Sequence, residues 1–171
     1  AEKKIGLDLL NLDPNNIQYL YFENKRGYVP TEYIQMCAIN KDVSGEVLKH
    51  IKNPSHKVKM LSVIKNPYNI EYIPNPNEEI QIEALKKEVN LFNTLNNPKI
   101  KVKLFYLSLL ILQKKSSIKV SELNKEMFYE DIKNLKKMVS YMNDNKKLIL
   151  ENQTPSNIFE KLIKTGILSE Y

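Results

Sequence analysis

Two histidines and one cysteine are the side chains of this sequence whose chemistry best suits a metal site or a nucleophile. His50 and His56 are not accompanied by cysteines or carboxylates at the spacing of a metal site. Cys37 has no evident neighbouring base, which favours packing over nucleophilic catalysis. The four scattered glycines do not form a phosphate-binding loop. The sequence therefore predicts no catalytic residue, no metal, no cofactor and no enzyme activity.

Lysine is the other residue type that could hold a ligand, through phosphate. The chain has 26 basic and 20 acidic residues, Arg26 is its only arginine, and abundant Lys, Asn, Ile and Tyr are typical of an AT-rich genome. Scarce arginine lowers the expectation of sequence-specific nucleic-acid recognition. Candidates for a basic patch are Lys49, Lys52, Lys57, Lys99 and Lys101. Because Glu78 and Glu79 lie between them in the chain, a solvated face is the favoured interpretation.

A 22-residue repeat supplies the elements that would position these side chains. Segments that begin at His50, Tyr72 and Thr94 align without gaps, and each carries Asn-Pro at the same place. An earlier and more divergent copy contains Pro30. A fixed period of this length is typical of stacked supersecondary units. Each unit is predicted to be a short helix followed by a longer one.

The Asn-Pro pairs predict where the longer helices begin. Asn53, Asn75 and Asn97 precede the prolines, and asparagine is a strong N-cap while proline suits the first helical position. Glu78 stands three residues after Asn75, as in a capping box. We therefore expect each of these helices to start at its proline.

Within each longer helix, apolar residues recur at positions +4, +6 and +9 counted from the proline. They predict a helix with apolar flanks that lies between two neighbours. Position +5 lies between the flanks and is polar in every unit: Gln35, Lys59, Gln81 and Lys103. Two interpretations stay open for this set. Either the side chains line a concave binding face, or, as we favour, they snorkel or bond to carbonyls of an adjacent unit.

The first repeat carries about seven extra residues between its two parts. Its segment 13–20 matches segment 66–73, and the insertion, which includes 25–27, is expected to be a loop. Tyrosines crowd around it, namely Tyr19, Tyr21, Tyr28 and Tyr33. They either anchor a partner or close the end of the array.

Residues 116–171 leave the repeat register. An amphipathic helix is predicted over 128–142 and a last helix near 156–168, which together suit a helical cap for the array. The alternative is a winged helix-turn-helix with 130–138 as recognition helix and 146–150 in the wing. That alternative is weaker because the turn before the recognition helix is almost absent and the wing has no glycine.

The repeat pattern is an apolar residue, Asn-Pro, a second-turn Val or Ile followed by Lys or Gln, and then a small and an aliphatic residue. It resembles the HEAT-like short helical repeats, especially the leucine-rich-repeat-variant type, over roughly residues 13–112. The resemblance implies a binding scaffold and specifies fold rather than activity. Gln or Lys stands where that type often has Arg, so its ligand is not carried over. A HEAT-like DNA-repair glycosylase resembles the chain in architecture only.

These observations predict an all-α fold, with a short α-solenoid of about four two-helix repeats over 1–115 and a C-terminal helical cap or small subdomain over 116–171. No run of about 18 apolar residues is present, so no membrane span is expected. The lone cysteine favours a reducing, cytoplasmic location.

The predicted function is a non-enzymatic scaffold that binds a protein or peptide partner. The composition is compatible with a phage or mobile-element origin, and the weak first unit is compatible with a fragment of a larger protein. The alternative is a nucleic-acid-binding repeat protein that uses a Lys-lined groove. Mixed charge within the repeats favours the protein partner.

Overall fold

The structure is a computed structural model that describes residues 2–21, 29–128 and 132–169, with side chains described from residue 6 onward. These residues form α-helices and short 3-10 helices, and no strand occurs among them. The prediction of an all-α fold is confirmed. In this described part of the chain, no helix is long and apolar enough to cross a membrane.

The chain divides into two compact units, an N-terminal unit Ala1–Pro76 and a C-terminal unit Asn77–Tyr171. The described elements of the N-terminal unit are α1 (Glu2–Leu12), η1 (Pro14–Leu20), α2 (Glu32–Lys41), η2 (Val47–His50), α3 (His56–Lys65) and η3 (Pro67–Tyr72). Those of the C-terminal unit are α4 (Glu78–Lys87), η4 (Val89–Thr94), α5 (Ile100–Lys114), η5 (Val120–Glu122), η6 (Lys125–Met127), α6 (Ile132–Asp144), α7 (Lys146–Glu151) and α8 (Pro155–Lys164).

The boundary predicted after residue 115 does not coincide with the division between these units. Helix α5 is buried on every side from Val102 to Leu109, and it packs against α4, α6, α7 and α8 of its own unit. Burial of this kind requires the C-terminal helices, because a helix that is apolar all round must be covered all round. The last repeat helix and residues 116–169 are therefore parts of one compact unit.

The Asn-Pro pairs do not start the helices, contrary to the prediction. Asn53, Asn75 and Asn97 each have a φ of 49°, in the left-handed region, so they turn the chain. Asparagine tolerates this conformation better than most residues because its short polar side chain bonds locally. The same backbone conformation at all three repeats is a local signature of the 22-residue period.

The helices begin two residues after the prolines, and the residue between is the N-cap. Thr31, Ser55 and Asn77 have extended backbones, and their side chains accept hydrogen bonds from the third helical N–H at 3.3, 3.3 and 3.0 Å. Glu78 is consequently the first residue of α4 and is not part of a capping box with Asn75. Its charge still complements the helix N-terminus.

The sequence match between 13–20 and 66–73 corresponds to matching hydrogen bonds. Asp13 and Asn66 each cap a 3-10 helix by accepting from the backbone N–H two residues later, at 2.9 and 3.1 Å. Asn16 Nδ2 donates to the carbonyl seven residues earlier at 2.9 Å, and Asn69 Nδ2 does the same at 3.2 Å. The two segments are therefore equivalent in structure as well as in sequence.

The apolar positions +4 and +9 lie in the core of every repeat helix. They are Ile34, Val58, Ile80, Val102 and Ile39, Val63, Leu85, Leu107, and each is at most 2% exposed. Position +8 is small and fully buried in Ala38, Ser62 and Ala84. Close-packed interiors leave little room at such positions, which explains the small residues.

The C-terminal segment is helical where a wing was the alternative. Residues 146–150 lie in α7 rather than in a strand. The wing expected there in the winged helix-turn-helix alternative is therefore not formed by these residues. Helix α6 buries Leu135, Met138, Val139 and Met142 along one face, as its periodicity predicts. Two hydrogen bonds of 2.9 Å between Asn143 and the backbone of Ile118 tie the preceding segment to α6.

Candidate functional site

The polar residues at position +5 are mostly directed inward. Gln35, Gln81 and Lys103 are only 6%, 6% and 4% exposed. Gln35 Nε2 donates to the carbonyl of Pro30 at 2.9 Å, and Lys103 Nζ donates to the carbonyl of Phe128 at 2.8 Å. Buried polar groups need such partners, so these side chains serve the interior of their own units. They are not offered to a ligand on a concave face.

Lys59 is the member of the +5 set that keeps partial exposure. It lies on α3 between Val58, which is buried, and Met60, which is half-buried. A lysine at such a place covers apolar surface with its stem and keeps the ammonium in water. Of the four residues predicted for a binding face, Lys59 alone is placed to contact a ligand.

The basic-patch lysines of the N-terminal unit have different surroundings. Lys49 is exposed and pairs with Glu46 at 3.1 Å. Lys52 Nζ lies 5.3 Å from the centre of the Tyr21 ring, and its backbone N–H donates to the Tyr21 hydroxyl at 2.9 Å. Lys57 is exposed on α3. One of the three is therefore neutralised and one is held against an aromatic ring.

The basic-patch lysines of the C-terminal unit are also engaged. Lys99 pairs with Glu78 at 3.9 Å. Lys101 Nζ lies 5.7 Å from the centre of the Phe159 ring, and Lys86 Nζ lies 4.7 Å from the same ring. Exposed ion pairs of this kind contribute little stability, but they reduce the charge offered to phosphate. The patch is weaker as an anion site than the lysine count implies.

The side chains that could carry chemistry do not converge on a reactive centre. Among the described residues, no group of three or more His, Cys, Asp or Glu is placed to hold a metal ion. Cys37 is half-buried on α2. The pKa of Tyr33 lies above its usual value, first because its hydroxyl hydrogen-bonds with the Cys37 side chain. This contact links two side chains of the same helix, α2.

A cavity of about 190 Å³ lies beside the loop between α2 and η2. Its polar groups already have partners in the protein. The Asp42 carboxylate accepts from the N–H groups of Gly45 and Val47 at 2.9 and 3.0 Å. Lys65 Nζ donates to the carbonyls of Ile39 and Asn40 at the end of α2. This cavity is therefore a structural junction between α2 and α3 rather than a ligand site.

The tyrosines of the first repeat divide between the surface and the interior. Tyr19 and Tyr33 are 55% and 54% exposed, whereas Tyr21 is half-buried with its hydroxyl bonded to Lys52. Tyr28 and the inserted residues 25–27 lie outside the described residues. Tyr19 and Tyr33 thus suit the partner-anchoring interpretation, and Tyr21 suits the structural one.

Exposed apolar side chains are concentrated in the N-terminal unit, a feature that the repeat pattern does not reveal. Of the ten exposed large hydrophobic residues in the described part of the chain, seven belong to this unit: Leu12, Tyr19, Val29, Tyr33, Val43, Ile64 and Tyr68. The remaining three, in the C-terminal unit, are Ile100, Ile132 and Ile163. Five of these seven residues lie outside α2 and α3, so the periodicity of the repeat helices gave no signal for them.

A second surface that the sequence analysis did not single out is the outer face of α6. Lys133, Lys136 and Lys137 are exposed there, beside Ile132 and Ser140. No described carboxylate forms an ion pair with these three lysines, although the sequence places acidic residues immediately before the helix. Their spacing of three and four residues, which puts side chains on one helix face, was the available signal.

Comparisons with protein-family models, with curated proteins and with solved structures found no match to this chain.

Proposed function

We propose that this protein is a non-enzymatic helical-repeat scaffold, of the short α-solenoid class, that binds a protein or peptide partner. The repeated left-handed asparagines and the shared N-cap position support a common structural unit over the repeat segment. Stacked units of this size bury their faces against neighbours and leave extended surfaces for binding. The single, half-buried Cys37 supports a reducing compartment such as the cytoplasm.

The observation that carries the proposal is the group of exposed apolar side chains on the N-terminal unit. Val43 is 98% exposed and Leu12 is 81% exposed, while Tyr19 and Tyr68 are both 55% exposed. Tyrosine is enriched at protein interfaces because it combines a large apolar ring with a hydroxyl that bonds at the rim. We infer that these side chains supply apolar surface for a partner, since exposed apolar surface marks interaction sites where it is contiguous.

The distribution of polar groups supports the same partner class. Three of the four +5 side chains, Gln35, Gln81 and Lys103, are buried inside the units, and Lys49 and Lys99 are paired with glutamates. A surface with mixed charge and exposed tyrosines suits a protein better than a polyanion.

The test compares two triple variants with equal numbers of altered exposed residues. Tyr19→Ser, Val43→Ser and Tyr68→Ser remove apolar surface from the N-terminal unit. Ile100→Ser, Ile132→Ser and Ile163→Ser do so in the C-terminal unit, and these isoleucines are 41%, 50% and 49% exposed.

Immobilised full-length protein is used to capture proteins from an extract of the organism that encodes it, and each captured protein is then purified and its dissociation constant measured. We expect the N-terminal variant to weaken binding by about tenfold or more, with little change for the C-terminal variant. Equal binding by both variants would contradict the proposed surface. Failure of every purified candidate to bind the unaltered chain would contradict the scaffold function.

Nucleic-acid binding is the second candidate function, and the lysine face of α6 is the observation that favours it. A groove lined by Lys59 and Lys103 is not supported, because Lys103 is buried against Phe128. Three exposed lysines on one helix face could contact phosphates, and such contacts weaken steeply with salt.

Binding to mixed DNA and RNA oligonucleotides at about 50 and about 200 mM salt tests this candidate. The variant Lys133→Glu, Lys136→Glu, Lys137→Glu is compared with the variant Lys57→Glu, Lys59→Glu, Lys101→Glu. Micromolar binding that falls with salt and is lost in the first variant would replace the protein-scaffold proposal. Absence of binding at the lower salt concentration would retire the nucleic-acid candidate.

A further inference from the structure

Helices α2 and α3 share a partly exposed apolar face, here called the α2–α3 face. It is formed by the repeat positions +3, +6, +7 and +10, and its residues are Tyr33, Met36, Cys37, Met60, Leu61 and Ile64. Tyr33 and Ile64 are 54% and 40% exposed, and the other four are half-buried. Two methionines and a leucine that remain partly exposed in adjacent helices provide an adaptable apolar surface.

In α4 and α5 the apolar side chains at these repeat positions are covered, while Glu79 and Glu83 of α4 are exposed and half-buried. Ile82 and Leu104, at position +6, are 2% and 0% exposed, and Phe105, at position +7 of α5, is fully buried. Helix α8 packs against both α4 and α5. In the described part of the chain, α8 covers apolar residues on this side of α4 and α5, whereas the α2–α3 face stays partly exposed.

Helix α8 covers its site in the manner of an amphipathic ligand. Ile158 and Leu162 are fully buried, while Ser156, Asn157 and Glu160 are exposed. The Phe159 ring meets the Phe105 ring edge to face, with a centroid distance of 5.2 Å. Such an aromatic contact adds to the effect of the buried area.

Two lysines complete the contact with α8. Lys86 and Lys101 place their ammonium groups 4.7 and 5.7 Å from the centre of the Phe159 ring, within the range of a cation–π interaction. Lys101 occupies position +3 of α5, and the residue at +3 of α3 is Lys57. Leu61 of α3 likewise corresponds to Phe105 of α5. The α2–α3 face thus repeats one lysine and one apolar residue of this site, while Asn40 of α2 stands where α4 has Lys86.

Charge selects the kind of helix that suits the α2–α3 face. Lys57 lies on this face at position +3, and Lys41, Lys59 and Lys65 are on other sides of the two helices, whose only carboxylate is Glu32. Helix α8 itself carries Lys161 and Lys164 against Glu160, so α8 from a second copy would bring like charge to this surface. Like charges oppose association, whereas an acidic helix would be attracted.

We propose that the α2–α3 face binds an amphipathic helix from a partner protein, with aromatic and aliphatic residues on one side and acidic residues beside them. This inference rests on the proposed scaffold function and names its partner class and surface. Recognition follows the helix-in-groove mode, in which anchors spaced three and four residues apart enter an apolar site. Lys57 lies against an aromatic anchor of the bound helix, as Lys101 lies against Phe159.

Two labelled peptides test the proposal with the full-length protein. Both have the sequence of residues 154–168, which includes α8, and one carries Lys161→Glu and Lys164→Glu to make it acidic. Fluorescence anisotropy measures binding at about 50 and about 200 mM salt. We expect the acidic peptide to bind with a dissociation constant below about 100 μM and at least about tenfold more tightly than the basic peptide.

Matched variants assign the binding to the α2–α3 face. Ile64→Glu should weaken binding of the acidic peptide by about tenfold or more, while Ile163→Glu, at a residue with similar exposure on α8, should leave it unchanged. Lys57→Glu should weaken binding and its dependence on salt, with Lys133→Glu as the control of equal charge change. Circular dichroism of each variant verifies that the helices are intact.

Each other outcome overturns the inference. If neither peptide binds, or if Ile64→Glu and Ile163→Glu act equally, the α2–α3 face is not a helix-binding site. If the basic peptide binds as tightly as the acidic one, the face has no preference for an acidic helix. A second copy of this chain, which carries the basic α8 sequence, then becomes the candidate occupant. A purified partner whose binding ignores Ile64→Glu but requires Tyr19, Val43 and Tyr68 would leave the scaffold function standing while this inference fails.

Discussion

Helix pairs α2–α3 and α4–α5 are built on the same 22-residue pattern, but they differ in the exposure of the side chain at position +6. Position +6 is half-buried in Met36 and Met60 but buried in Ile82 and Leu104. The C-terminal helices α6, α7 and α8, which follow the repeat in sequence, pack on α5, and α8 also packs on α4. The repeat thus specifies the local backbone, and the sequence outside it decides which repeat faces remain available.

The largest expected effect of this difference is on the free energy of unfolding when the +6 side chain is shortened. Leu104→Ala should destabilise the protein by about 2–5 kcal/mol, because it leaves a cavity at a fully buried position. Met60→Ala should cost about 1 kcal/mol, because the half-buried side chain already contacts water. Urea unfolding followed by circular dichroism provides both values. Equal losses would show that α8 does not distinguish the two faces.

A second contrast concerns the lysines at position +5. Lys103→Met should cost about 1–3 kcal/mol, because it removes the ammonium that donates to the buried carbonyl of Phe128. Lys59→Met should change stability by about 0.5 kcal/mol or less, since Lys59 is partly exposed. Methionine keeps most of the apolar stem, so the comparison isolates the charged end. A neutral Lys103→Met would mean that the hydrogen bond adds no net stability.

The helices and their buried residues could be predicted from the sequence because both depend on the spacing of apolar residues along the chain. The apolar +4 and +9 positions predicted the buried residues of all four repeat helices, including Ile34 and Leu107. Local chemistry predicted that the helices start at the prolines, two residues too early. It did not identify the cap, because asparagine serves equally as an N-cap and as a left-handed residue, and only the backbone angles at Asn53 and its equivalents decide between these roles.

The candidate sites were harder to predict because they depend on contacts between distant segments. Nothing near Lys103 in sequence indicates that Phe128, 25 residues later, will accept its hydrogen bond. The α2–α3 face was missed for the same reason, since Met60 and Leu104 occupy equivalent positions in the repeat. Leu104 lies in a helix that α6, α7 and α8 pack against, and spacing within the repeat does not encode the placement of these later helices.

The left-handed turn at the repeat asparagines should contribute the same stability in the N-terminal and C-terminal units. Asn53→Val and Asn97→Val should each cost about 1–2 kcal/mol, because a β-branched residue is strained at a φ of 49°. Asn53→Gly and Asn97→Gly should be close to neutral, since glycine adopts this conformation readily. Equal costs in the N-terminal and C-terminal units, measured by urea unfolding, are expected because the strain is local. A neutral valine variant would contradict the left-handed turn.

The smallest expected effect concerns the alkaline behaviour of one buried tyrosine in each unit. Tyr106 is 9% exposed and stacks on Phe92 with a centroid distance of 3.7 Å, and burial raises its pKa above the usual 10.0. Burial also raises the pKa of Tyr21, but the hydrogen bond from the Lys52 N–H opposes the shift. We therefore expect Tyr106 to ionise later than Tyr21.

The sign of the effect on stability follows from these directions. A tyrosine with a raised pKa in the folded state keeps its proton above pH 10 while the unfolded chain loses it, so its stabilisation is present below that pH and declines as the pH rises through the folded pKa. Tyr106→Phe should flatten the alkaline loss of stability and remove one phenolate transition above pH 10 from the ultraviolet absorbance. Tyr21→Phe should flatten it less. If the two variants behave alike, the burial of Tyr106 raises its pKa no more than the surroundings of Tyr21 raise that of Tyr21. The two units would then not differ in the ionisation of these tyrosines.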